Sequence, residues 1–257
     1  MKIIILAGGL GTRIAEETES KPKPMVLIDG KPILWHLMKI FEIQGFNEFV
    51  LALGYRSDVI KRWLLDLNDL DGDITIDTLK KSIKHLNQGS KLAWKVTALE
   101  TGLSTQTGGR IAQCMKAFPG ERVIATYGDG LANINIRELI AFHEEHGKLA
   151  TVTAVRPPAR FGYLSVKNNE VEHFGEKNQS DAGWINGGFF VLEPEVASLV
   201  ESDDEPFESG ALPRLVVKKE LMAYHHEKFW QPMDTLREKQ ELSKFAKQNP
   251  PPWLIGI

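Results

Sequence analysis

An apolar run, Ile3-Ile4-Ile5-Leu6, leads directly into Gly8, Gly9 and Gly11 within the stretch LAGGLGTR, and this junction narrows what the chain can become. The run reads as a short buried strand. Glycines carry no Cβ, so the backbone turns tightly after the strand and comes close to a ligand. Successive N–H groups in such a loop form a concave anion site. Thr12 adds a hydroxyl, Arg13 a planar guanidinium and Lys23 a compact charge on a long stem, so the implied ligand is a polyphosphate.

Two familiar glycine loops are excluded. A dinucleotide-binding G-x-G-x-x-G beginning at Gly9 requires glycine at 14, which is Ile14. A P-loop requires G-x-x-x-x-G-K followed by Ser or Thr, which no segment supplies. For GGLG alone, a plain strand-to-helix turn is an even alternative; Thr12-Arg13 and the later Lys-Pro-Lys-Pro weigh against it.

The Lys-Pro pairs of KPKPMVLIDGKP predict an extended, stiff connection that holds Lys21 and Lys23 in place. Apolar residues at four-residue spacing predict a helix over 33–44, closed by Gly45. A buried strand over Phe49 to Leu53 and a helix from Ser57, with Ser57 as its cap, follow. This alternation opens a doubly wound sheet. Residues 66–93 read as a polar, irregular loop. DLNDLDGD within it lacks the terminal glutamate of a calcium loop and is read as solvated. Further strands are expected over 94–99, 122–126, 150–155 and 221–225, and helices over 136–146 and 212–219. A hairpin about Asn168-Asn169 and a single glycine-led strand over Asn186 to Leu192 complete the pattern.

Thr105 to Arg110 present hydroxyls and N–H groups at a helix start, a second candidate binding loop whose alternative is an ordinary capped helix. Asp129 stands between Gly128 and Gly130 at a strand's carboxyl end, the rim where open α/β sheets bind ligands; a structural Asp-Gly turn is the equal alternative. Asp234 precedes the last helix, where capping competes with a role in the site. His225 and His226 are adjacent on a strand and point to opposite faces, which excludes a shared metal. Residues 201–208 read as acidic surface.

The net charge of −3 argues against a protein whose main task is coating nucleic acid and leaves room for a locally positive phosphate site. No leader and no membrane span are expected. The single cysteine, Cys114, forms no intramolecular disulfide, packs in the core near Ile111 and Ala117, and fits the cytoplasm.

The ordered set LAGGLGTR, KPKPM, DGKPILWH, TGGR, YGDG, RFG, FGEK, INGGFFVL and FWQPMDT resembles the sugar-1-phosphate nucleotidylyltransferases over residues 1 to about 240. TGGR, YGDG and FWQPMDT resemble its cytidylyltransferases in particular. The resemblance implies one α/β domain, a Rossmann-like doubly wound mixed sheet of the nucleotide-diphospho-sugar transferase fold, with a small β-rich part. Residues 1–150 would be the nucleotide-binding part and 151–257 the sugar-phosphate-binding and C-terminal part. CTP would meet Leu6, Ala7, Gly8, Gly9, Leu10, Gly11, Thr12, Arg13, Lys23, Thr105, Gly109, Arg110 and Gly128. Glucose 1-phosphate would meet Glu176, Lys177, Asn186 and Gly187, and Asp129 with Asp234 would hold Mg²⁺. Arg13, Lys23 and Lys177 would carry the catalysis, in a homo-oligomer. The rival readings are the same chemistry with UTP, dTTP or another sugar 1-phosphate, and a non-catalytic nucleotide- or sugar-binding module.

Overall fold

The computed structural model describes residues 1–69, 73–86, 92–157, 162–167, 170–176 and 183–257. The chain opens with β1 (Lys2–Leu6), α1 (Ala15–Thr18), β2 (Leu27–Ile28), β3 (Lys31–Pro32), α2 (Ile33–Glu42), β4 (Glu48–Leu53) and α3 (Ser57–Asp69). It continues through β5 (Ile74–Asp77), β6 (Ser82–His85), β7 (Lys95–Glu100), α4 (Thr107–Ala117), β8 (Val123–Tyr127), β9 (Gly130–Ala132), α5 (Ile136–His146) and β10 (Ala150–Val155). The last third comprises β11 (Gly162–Lys167), β12 (Glu170–Glu176), β13 (Ile185–Asn186), β14 (Phe190–Leu192), α6 (Ala211–Val217), β15 (Leu221–His226), β16 (Trp230–Pro232) and α7 (Leu236–Ala246).

Among the described residues, eight strands form the central sheet in the order β13-β10-β14-β8-β1-β4-β7, with β15 also paired to β10. β8, β1, β4 and β7 run parallel, and β15 is parallel to β10, whereas β14 is antiparallel to both β8 and β10. The sheet therefore has the expected mixed, doubly wound form, and it continues across residue 150.

Side-chain alternation explains why both faces are covered. Ile3 and Ile5 of β1 join one core with Phe49, Leu51 and Leu53 of β4 and the buried faces of α2. Ile4, Val50 and Ala52 point the other way, into a second core with Ile111, Cys114 and Met115 of α4 and Phe207. A strand buried on both faces has to be apolar at every position, which is what the Ile-Ile-Ile run supplies. Cys114 is fully buried there, and burial pushes its thiol up to about 12, so it is inert packing.

The connectivity creates the site. From β1 the chain steps outward through β4 to β7, then returns by α4 to β8 on the opposite side of β1. Ligand crevices form at such reversals, outside the carboxyl ends of the strands. Here the glycine loop leaves β1 beside the Tyr127-Gly128-Asp129 turn that leaves β8.

Several local expectations need correction. The Lys-Pro segment is not extended throughout: Lys23–Met25 is a 3-10 turn and β2 and β3 form a small hairpin. Asp29 and Gly30 turn this hairpin at φ 48° and 79°, the left-handed pair that matches strand twist. Within the segment 66–93, expected to be irregular, α3 runs on to Asp69 and β5 and β6 pair antiparallel, while residues 70–72 and 87–91 lie outside the described residues. Asn186 to Leu192 is not one strand. Gly188 and Phe189, both at positive φ, interrupt it with a bulge opposite Thr153, whose backbone still bonds Gly187 and Gly188. The Ser57 hydroxyl donates to Glu100. The hairpin of β11 and β12 forms as expected, with its turn residues 168–169 outside the described residues. Among the described residues no helix is long and apolar enough to cross a membrane.

Candidate active site

A cleft of about 500 Å³ lies over the carboxyl ends of β1 and β8. Its walls include Leu6, Gly8, Gly9, Gly11, Thr12 and Arg13 from the first loop, and Lys23 and Pro24 from the 3-10 turn. Thr105 to Thr107 and Arg110 come from the start of α4, Tyr127 to Asp129 from the end of β8, and Glu208 from the acidic segment.

One end of this cleft is built from charge. The ammonium of Lys23 donates to Asp129 at 2.6 Å and to Asp234 at 2.7 Å, and Arg13 lies 3.0 Å from the other Asp234 oxygen. These residues are far apart in sequence, and a two-strand ladder brings the carboxylates together. β9 pairs with β16, and the Met233 N–H donates to the Asp129 carbonyl at 2.8 Å, so Asp129 and Asp234 emerge side by side. Lys23 is 8% exposed. Burial alone would pull its pKa down, but the two carboxylates outweigh burial and hold it above the ordinary value.

Asp234 does not cap α7, so the capping reading does not hold. Thr235 is the cap: its hydroxyl accepts from the Glu238 N–H, and Glu238 accepts in return from the N–H groups of Asp234 and Thr235 at 2.7 and 3.0 Å. The Asp234 carboxylate is left to face Lys23 and Arg13. A divalent cation fits this pair by donor chemistry, since both are hard oxygen ligands that converge on one point, now held by the Lys23 ammonium. Among the described residues no third His, Cys, Asp or Glu completes a cluster, so such an ion would fill its shell with phosphate oxygens and water.

The other end is shaped by Arg110. Its guanidinium is buried, donates to the carbonyls of Leu53, Gly8 and Leu103 at 2.9, 3.1 and 3.4 Å, and reaches the Thr101 hydroxyl. Burial pulls it below its ordinary pKa. Four of its five N–H donors are thus aimed at protein, and the Thr105 hydroxyl likewise donates to the Thr101 carbonyl. Gly8 is glycine for a packing reason, because a Cβ there would lie 2.3 Å from Arg110 Nη1.

Other expected residues fall as follows. Ala7 is buried at the strand end and Leu10 is exposed at the loop tip. Gly109 is buried, and a Cβ on it would come within 2.5 Å of the Asp203 carbonyl. Asn186 and Gly187 lie at the end of β13, with Asn186 bonded to Tyr127 and the Gly187 carbonyl accepting from Trp230. Glu176 ends β12, and Lys177 lies outside the described residues.

Glu208 and Tyr127 were not singled out in the sequence as site residues. The segment 201–208 is acidic surface as expected except at Glu205 and Phe207, and it also packs on the start of α4: the Asp203 and Glu205 backbone carbonyls accept from the N–H groups of Gln106 and Gly108, and Phe207 is fully buried. Phe207 among acidic residues was the available signal. Arg214 neutralises Glu205 at 2.7 Å and keeps its carboxyl below the usual range.

The mixed sheet with its reversal, the glycine loop and the paired carboxylates place the chain in the nucleotide-diphospho-sugar transferase fold, with a cleft of about 500 Å³ over the reversal. Residues 2–243 match the Nucleotidyl transferase family, and the chain belongs to it. It is 44% identical over 254 residues to the glucose-1-phosphate cytidylyltransferase of Salmonella typhimurium, covering 98% of each chain. It is 43% identical over 256 residues to the probable glucose-1-phosphate cytidylyltransferase of Bacillus subtilis, covering 99% of this chain and 100% of that one. The solved structure of HddC from Yersinia pseudotuberculosis complexed with GMP-PN shares the fold at a TM-score of 0.70 and 23% identity, over 96% of this chain and 99% of that one.

Proposed function

We propose that this chain transfers the cytidylyl group of CTP to α-D-glucose 1-phosphate, releasing pyrophosphate and forming CDP-glucose. The observation that carries the reading is the convergence of Lys23, Arg13, Asp129 and Asp234 at one end of a cleft whose opposite end is lined by Thr105, Gln106, Thr107 and the buried Arg110. The near full-length likeness to glucose-1-phosphate cytidylyltransferases supports the choice of substrates.

The second ionisation of a phosphate monoester lies near pKa about 6, so the acceptor arrives as an anion and requires no general base. One of its oxygens forms a bond to the α-phosphorus of CTP. The bond from that phosphorus to the bridging oxygen breaks, and pyrophosphate leaves with the electron pair. The protein's work is to bring two anions together and hold them in line. Arg13 and the glycine-loop N–H groups take the triphosphate, Lys23 the α-phosphate, and Lys177 the sugar phosphate. Thr105 and Arg110 form the wall beside the base, with Gly109 behind them letting the chain at Asp203 approach, and Glu176, Asn186 and Gly187 the wall beside the sugar. Mg²⁺ held by Asp129 and Asp234 would supply charge neutralisation on the triphosphate.

The test is a matrix of CTP, UTP, dTTP and GTP against several sugar 1-phosphates with Mg²⁺, read as pyrophosphate release. CTP with glucose 1-phosphate is expected to give the highest kcat/KM. Preferred turnover of UTP or dTTP sinks the cytidine assignment, and binding of CTP without release of pyrophosphate from any pair sinks the enzyme.

A further inference from the structure

Tyr127 ends β8 with its ring under Gly188, where a Cβ would sit 3.0 Å from the ring. Its hydroxyl lies within a chain of hydrogen bonds that permits one direction only. The Gly188 N–H is a donor, so the Asn186 atom it meets at 2.9 Å is Oδ1, and Nδ2 faces Tyr127. The Tyr127 oxygen accepts from Nδ2 at 2.9 Å and sends its single proton to Glu208 Oε1 at 2.5 Å. The second Glu208 oxygen accepts from the Thr107 hydroxyl at 2.7 Å, and the Thr107 oxygen accepts from the Phe207 N–H at 2.8 Å. Burial, and then the Glu208 carboxylate, hold the phenol protonated by raising its pKa. Asn186 has its oxygen committed to Gly188 and one amide proton to spare. It is exposed, and its amide group is fixed with Nδ2 presenting a donor.

We propose that Tyr127 and Glu208 are positioning residues for the acceptor sugar, acting through Asn186 by fixing its amide as a donor toward a sugar oxygen. This rests on the assignment of Asn186 to the sugar wall. It extends the site to the segment 201–208, which thereby ties the sugar wall to the start of α4.

The experiment is steady-state kinetics on the full chain with CTP, glucose 1-phosphate and Mg²⁺. Tyr127→Phe and Glu208→Ala are expected to raise KM for glucose 1-phosphate about five- to tenfold while KM for CTP stays within about twofold. Glu208→Gln restores most of the loss, because its Oε1 still takes the phenol proton while its Nε2 donates to Thr107. Tyr127→Phe adds nothing further in an Asn186→Ala background. An unchanged KM for glucose 1-phosphate in Tyr127→Phe, when Asn186→Ala does raise it, overturns the relay alone. Glu208→Ala raising both KM values equally, or lowering only the melting temperature, also overturns it. A neutral Asn186→Ala overturns the sugar-wall assignment and the relay with it.

Discussion

Lys23 places an ammonium between two carboxylates that otherwise repel each other, and its removal separates stability from chemistry. In Lys23→Ala, Asp129 and Asp234 keep side chains that are 32% and 19% exposed, so water takes up much of the repulsion. The expected stability loss is about 1–2 kcal/mol in a thermal melt. On the proposed mechanism turnover is expected to fall roughly 10²- to 10³-fold, since the cation assigned there to transition-state charge is lost. Because the folded pKa is raised, the contribution of Lys23 is fully present below 10.5 and is lost as pH rises through the folded value. Near-normal turnover in this variant would remove Lys23 from the phosphate site.

At the scale of elements, α7 offers a clean separation between adjacent residues. Thr235→Ala removes the cap and is expected to cost about 1 kcal/mol of stability with kcat largely kept. Asp234→Asn is expected to do the reverse, lowering turnover by orders of magnitude with little change in the melting temperature. Equal loss of activity in both would mean that helix placement, not the carboxylate, sets turnover. The start of α4 gives a second case. Gly109→Ala sets a Cβ 2.5 Å from the backbone carbonyl of Asp203, which has no flexible end to yield, so a destabilisation of about 1–3 kcal/mol is expected in denaturant unfolding. TGGR was legible as a helix start with ligand-facing potential. That its glycines admit the 203–207 segment was not, because the approach of a distant loop leaves no periodicity in the sequence.

For the molecule as a whole, three buried histidines and one half-buried one govern the response to acid. His36, His143, His146 and His226 are all held below their ordinary value of 6.5, chiefly by burial. His143 and His146 share the buried Thr151 hydroxyl at 2.8 and 2.7 Å. A depressed folded pKa means that the unfolded chain takes up protons first, so this stability is full above 6.5 and is lost as pH falls below it. Urea midpoints measured from pH 7.5 to 5 are expected to decline, and a flat profile would contradict this.

The alternating elements, the two-faced burial of β1 and β4 and the glycine loop were readable from residues 1–155, because apolar period and glycine placement are local properties. The fold class and the candidate residues Arg13, Lys23, Asp129 and Asp234 followed from types and motifs. What only the tertiary structure decided was how competing roles were shared. Thr235 took the cap and released Asp234, Arg110 committed most of its donors to carbonyls, and the acidic segment brought Glu208 to Tyr127. Each of these turns on which partner reaches a hydrogen-bonding group first, and partners distant in sequence meet only when the β9–β16 ladder and the sheet reversal bring them together.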